Sequence, residues 1–138
     1  MRRFFLLAAV LVSAAACQND STSPNVQLTG TYNLRTINGQ TLPYTFTDNQ
    51  TGRLETVVAD QLTLTATGSD FGDYQDVATL EDNSGTFTST EFGTYSAING
   101  SITFNDQTDG IQYGGSLSGN VLTEISNNGT LTEVFQKQ

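Results

Sequence analysis

Tyr95-Ser96-Ala97-Ile98-Asn99-Gly100-Ser101-Ile102-Thr103-Phe104 decides the fold. Two short runs of aromatic and β-branched residues flank an Asn-Gly pair. A two-residue hairpin loop needs positive φ at both central positions, which Asn and Gly tolerate, so the stretch predicts an antiparallel hairpin. The same signals repeat outward. Ser118-Gly119-Asn120 joins residues 113–117 to 121–125, and Asn127-Asn128-Gly129 joins that run to 131–135. In the other direction, Thr67-Gly68-Ser69-Asp70 precedes residues 71–80, and Glu81-Asp82-Asn83-Ser84-Gly85 precedes residues 86–90. Each run is expected to pair with the next, which is an antiparallel meander.

The strands show the period of two expected of a half-buried sheet. In Gln61-Leu62-Thr63-Leu64-Thr65-Ala66-Thr67, Leu62, Leu64 and Ala66 share a face and the threonines take the other. Leu28, Gly30, Tyr32 and Leu34 share a face in the same way, as do Ile102 and Phe104. Residues 54–59 fit a short helix by spacing but favour strand through Thr56, Val57 and Val58. Gly30, Gly85 and Gly93 each precede a Thr-aromatic pair and read as three strand starts. Eight to ten strands over about 110 residues suit a small barrel or sandwich. A meander favours the up-and-down barrel, because closure removes exposed edges. The expected fold is therefore an all-β antiparallel barrel of about eight strands.

Composition closes several functions. The 138 residues include 5 basic and 14 acidic side chains, a net charge of −9, with no His and one Cys. Histidine-based catalysis and histidine metal sites are excluded. An intrachain disulfide and a cysteine zinc cluster are excluded too. So few basic residues cannot neutralise many phosphates, so nucleic acid is not an expected partner. No cofactor, metal or catalytic residue is expected.

Residues 1–17 run in the order of an export signal: Arg2 and Arg3, the apolar run 4–12, then Ala14, Ala15 and Ala16 before Cys17. The run is far short of the ~20 residues of a spanning helix. The small residues ending on Cys17 resemble a bacterial lipobox, with Ala14 where Leu is commoner. That resemblance implies cleavage after residue 16 and a lipid on Cys17. Gln18, in place of Asp, implies the outer membrane in a double-membraned cell. The mature chain then has 3 basic and 14 acidic residues, a net of −11, so its surface is repelled by anionic head groups and only the lipid touches the membrane. Residues 18–27, polar and containing Pro24, read as a flexible tether. Residues 28–138 form one domain, expected to be monomeric.

Leu28-Thr29-Gly30-Thr31-Tyr32-Asn33-Leu34, Ile37-Asn38-Gly39-Gln40 and Leu42-Pro43 resemble the opening of small bacterial lipocalin-like lipoproteins. Leu62-Thr63-Leu64, Gly93-Thr94-Tyr95, Gly100 to Phe104 and Gly115 to Leu122 continue the likeness in order along most of 28–137. The resemblance implies an eight-stranded lipocalin-like barrel at the cell envelope. Lipocalins proper carry Gly-x-Trp where this chain has Gly30-x-Tyr32. They also pack a late cation over that Trp, for which Lys137 is a poor match.

The expected function is the binding of a small apolar or amphipathic ligand. The alternative is a solid interaction barrel that contacts another envelope protein. Candidate ligand contacts are Tyr32, Tyr95, Phe104 and Tyr113, with Arg35 and Glu124 as polar partners. The same aromatics would equally fill the barrel, and so short a chain favours a filled or nearly filled interior. Two registers are open for Glu124. With Leu122 inward it shares the inner face, where it would pair with Arg35 or a ligand and carry a raised pKa. With Val121 and Ile125 inward it lies in water. Asp70, Asp73 and Asp76 read as a solvated acidic edge, and Asp106 to Gly110 as a turn. Residues 46–53 are loop-like and suit a mouth or lid. No two acidic residues are singled out as a catalytic pair.

Overall fold

Alternation of buried and exposed residues runs along nearly every strand in the computed structural model, which describes residues 28–49, 51–126 and 129–138. The expected signal, Cys17 and tether lie outside the described residues, as do Asn127 and Asn128. Ten strands follow one another: β1 (Gly30–Ile37), β2 (Gln40–Thr41), β3 (Tyr44–Thr47), β4 (Leu54–Ala66), β5 (Phe71–Asp82), β6 (Gly85–Ile98), β7 (Ser101–Asp106), β8 (Gln112–Ser118), β9 (Val121–Ile125) and β10 (Thr132–Lys137). From β4 onward each strand pairs antiparallel with the next, and β10 returns to β1. Direct pairing of Gly30 with Leu64 and Tyr32 with Leu62 joins β1 to β4 and closes an eight-stranded up-and-down barrel.

The β1–β4 seam closes along only part of its length. Beyond Asn33, β1 pairs instead with β2 through Thr36 and Ile37, and the start of β4 pairs with β3 through residues 54–57. The short β2 and β3 thus form a flap beside one end of the barrel. Residues 54–59 belong to β4, so the strand reading holds there. The Asn99-Gly100 turn has φ of 53° and 81°, as a hairpin between β6 and β7 requires.

Gly93 does not start a strand. It lies inside the 14-residue β6, and a Cβ there would run into the Asn105 carbonyl oxygen and the Tyr74 ring. The glycine is needed because neighbouring wall and interior come too close for a side chain.

One half of the interior is solid. Tyr32, Leu62, Leu64, Tyr95, Phe104 and Phe135 are buried there with Ile102 and Leu122. Burying each such side chain is worth ~1.5–3 kcal/mol. Tyr32 donates its hydroxyl to the Leu28 carbonyl at 2.6 Å, and Lys137 Nζ sits 5.7 Å from the Tyr32 ring centroid, within cation–π range. Lys137, a poor match by sequence, does pack over the first-strand aromatic. This end holds Leu28, the 67–70 turn, Asn99-Gly100 and Gly119-Asn120.

Candidate functional site

The inward row of each strand is apolar at the closed end, and on most strands it reaches an acid near the other. Leu64 and Leu62 lead to Asp60 on β4, Tyr74 to Asp76 on β5, and Tyr95 through Gly93 to Glu91 on β6. Leu122 leads to Glu124 on β9, and Phe135 to Glu133 on β10. The period of two places each pair on one face. Cross-strand register then joins the acids around the wall. Asp76 is opposite Glu91, Glu124 is opposite Glu133, and Asp60 is diagonal to Asp76 because Asp60 pairs with Ala78 and Leu62 with Asp76.

Above these acids the barrel is hollow. A cavity of about 550 Å³ is lined by all five, with Asp48 and Glu55 nearer the rim. Its apolar wall comes from Tyr44 and Phe46 on the flap, with Val57, Ala78 and Leu80; Phe87, Ile111 and Leu131 line it while remaining exposed at the rim. The floor is aromatic. Phe104 stacks on Tyr113 at 5.0 Å between centroids and meets Tyr74 edge-on at 5.3 Å. The barrel is therefore half hollow, against the filled interior expected from chain length. The solid half ends at the aromatic floor, and the carboxylates above it cannot pack together as an apolar core does.

Among the described residues, no cation answers these charges. The three basic residues of 28–138 are Arg35, Arg53 and Lys137, and none lines the cavity. Arg35 is exposed, Arg53 pairs with Asp82 at 2.7 Å, and Lys137 is at the closed end. Glu124 is 5% exposed and Asp60 9%. Glu124 Oε1, Asp60 Oδ1 and Asp76 Oδ1 are buried without a hydrogen-bond partner. Burial is the main force on all five, and it favours the neutral acid. Glu124 is pushed well up by burial and then by Asp76 and Glu133. Glu91 and Glu133 are each pushed up to about 7, by burial and then by Asp76. Asp60 and Asp76 are both raised, chiefly by burial. The Tyr113 hydroxyl is raised by burial and then by Glu124.

The expected contacts divide. Tyr113 and Glu124 line the cavity. Tyr32, Tyr95 and Phe104 are inward but belong to the solid half, below the cavity. Arg35 is not a partner for Glu124: it follows the inward Leu34 on β1, so alternation turns its side chain outward, where it is exposed. Leu122 is buried and Ile125 exposed, so Glu124 takes the inward register. Asp70 and Asp73 are exposed as expected, but Asp76 is not part of a solvated edge, because it shares the inner face of Tyr74. Asp106 is buried and accepts from Thr108 N at 2.7 Å and Asp109 N at 3.3 Å, which makes the expected turn. Asp60, Glu91 and Glu133 were missed by sequence. Their signal was position, two residues along from Leu62, Gly93 and Phe135.

No protein-family model matches the chain, and no curated protein matches it in sequence.

Proposed function

We propose that this chain is a non-catalytic, monomeric, lipocalin-like binding module of the bacterial cell envelope, exported and carried on a lipid at Cys17. The observation that carries this reading is the cavity of about 550 Å³ at one end of the barrel, a volume typical of small-molecule sites. Its apolar rim above a belt of acids suits a small amphipathic ligand. The cavity lies at the end of the barrel opposite Leu28. The Lys137–Tyr32 pair stands where the lipocalin resemblance asks for a cation over an aromatic ring, and supports that resemblance. The alternative, an interaction barrel with a solid core, is disfavoured by the hollow half.

The test is native mass spectrometry of the protein purified gently from cells. The expected result is an added mass released on denaturation and absent from Ala78→Phe, which fills the cavity wall. A bare mass, persisting after incubation with lipids and with alkylamines, contradicts the reading.

A further inference from the structure

From the convergence of five inward carboxylates on a cavity that no lysine or arginine among the described residues enters, we infer that the ligand is an amphipathic organic cation. Its ammonium group sits among Glu124, Asp60 and their neighbours, and its apolar body lies along Phe46, Phe87, Ile111 and Leu131. The inference rests on the small-ligand reading above and names the chemical class. Two observations carry it beyond a merely acidic surface. Glu124 and Asp60 are more than nine-tenths buried, and each aims an oxygen with no hydrogen-bond partner at the cavity. A buried acceptor left unmade is costly, and an ammonium donor satisfies it.

The arrangement also separates the candidate ligands. An anionic amphiphile such as a fatty acid meets only like charge. A neutral one leaves the carboxylates unanswered. Among the described residues, no three acidic side chains come together as a set able to hold a metal ion. The charges are instead spread around the wall, which suits a larger, softer cation over a compact one. The apolar rim adds affinity for a hydrocarbon tail.

Proton release distinguishes this mode of binding. The groups facing Glu124 are Asp60 from β4, Asp76 from β5, Glu91 from β6, Tyr113 from β8 and Glu133 from β10. Asp48 and Glu55 lie near the rim. Asp106 of β7 is turned into its own loop, and β1 offers only Ile37. A cation entering among carboxyls that are partly protonated near neutral pH drives protons off them.

The experiment is isothermal titration of the purified protein with octylammonium, octanol, octanoate and Ca²⁺ in turn, in two buffers of different ionisation enthalpy. The account expects octylammonium to bind at least about tenfold tighter than octanol, to release protons, and to lose about tenfold in affinity in Glu124→Gln. Octanoate is expected not to bind. Equal binding of octanol and octylammonium, without proton release, overturns the cation inference while leaving the cavity reading intact. Tight Ca²⁺ binding that blocks octylammonium also overturns it. Failure of every probe overturns the inference and counts against the cavity reading as well.

Discussion

Glu124 on β9 and Glu133 on β10 stand directly opposite each other on the inner wall of the barrel. Like charges in that relationship destabilise a sheet, and among the described residues no lysine or arginine lines the space between them. The closed half of the same barrel is packed with leucine and aromatic side chains, so an apolar pair was within reach of this fold. A local rule broken at one place, in a structure that obeys it elsewhere, marks a site where stability yields to function.

The first consequence is an unusual pH dependence. Below about pH 4 these carboxyls are protonated in both folded and unfolded chains. Between that value and the raised folded values, the folded state holds more protons than the unfolded one. Stability then falls as pH rises through that window. The chain has no His to add a competing titration. Calorimetry is expected to give a Tm about 5 °C higher near pH 5 than near pH 8. A Tm that rises from pH 5 to pH 8 contradicts the account.

Removing the most deeply buried of the five cavity carboxylates is expected to stabilise the ligand-free protein. Glu124→Gln keeps the shape and deletes the titrating group. Urea unfolding near pH 8 is expected to show a gain of ~2 kcal/mol that shrinks towards pH 4. An equal loss at both pH values would make Glu124 an ordinary core residue.

The wall of the barrel tolerates no side chain at Gly93. Gly93→Ala places a methyl group against the Asn105 carbonyl and the Tyr74 ring, and is expected to cost ~1–3 kcal/mol by denaturant unfolding. Gly85→Ala probes a different requirement, the positive φ of 128° at the start of β6, with nothing within 4 Å of its Cβ.

The closed end is held by Tyr32. Tyr32→Phe leaves the buried Leu28 carbonyl without its 2.6 Å donor and is expected to cost ~1–2 kcal/mol. Lys137→Met removes the charge over the ring at a cost of ~0.5–1 kcal/mol. Thermal melts of the two single variants and the double variant measure whether the two contacts act independently. Neither change is expected to alter ligand binding, because both lie on the far side of the aromatic floor.

The barrel was legible because its signals are local. Asn99-Gly100 states its turn, and Leu62, Leu64, Ile102 and Phe104 state their faces. Part of the acidic site is legible by the same rule. Glu124 shares the face of Leu122, Asp76 reads as an edge charge although Tyr74 fixes its face, and Glu91 shares the face of Tyr95. The remaining features depend on distant register. The bulge between Val57 and Ala59 keeps both Val57 and Asp60 inward, which strict alternation forbids. The bulge between Leu34 and Thr36 likewise keeps both Leu34 and Ile37 inward. Whether the interior is solid or hollow depends on how eight inward rows meet, which no single strand contains.

The central claim, that the open half takes a ligand while the closed half is solid, is tested most directly by two-dimensional NMR during titration with octylammonium. The account predicts shifts confined to the amides around Ala78, Glu91, Tyr113 and Glu124, with Leu64, Tyr95 and Ile102 unmoved. Shifts scattered over the outer surface, or none at saturating probe, would contradict it.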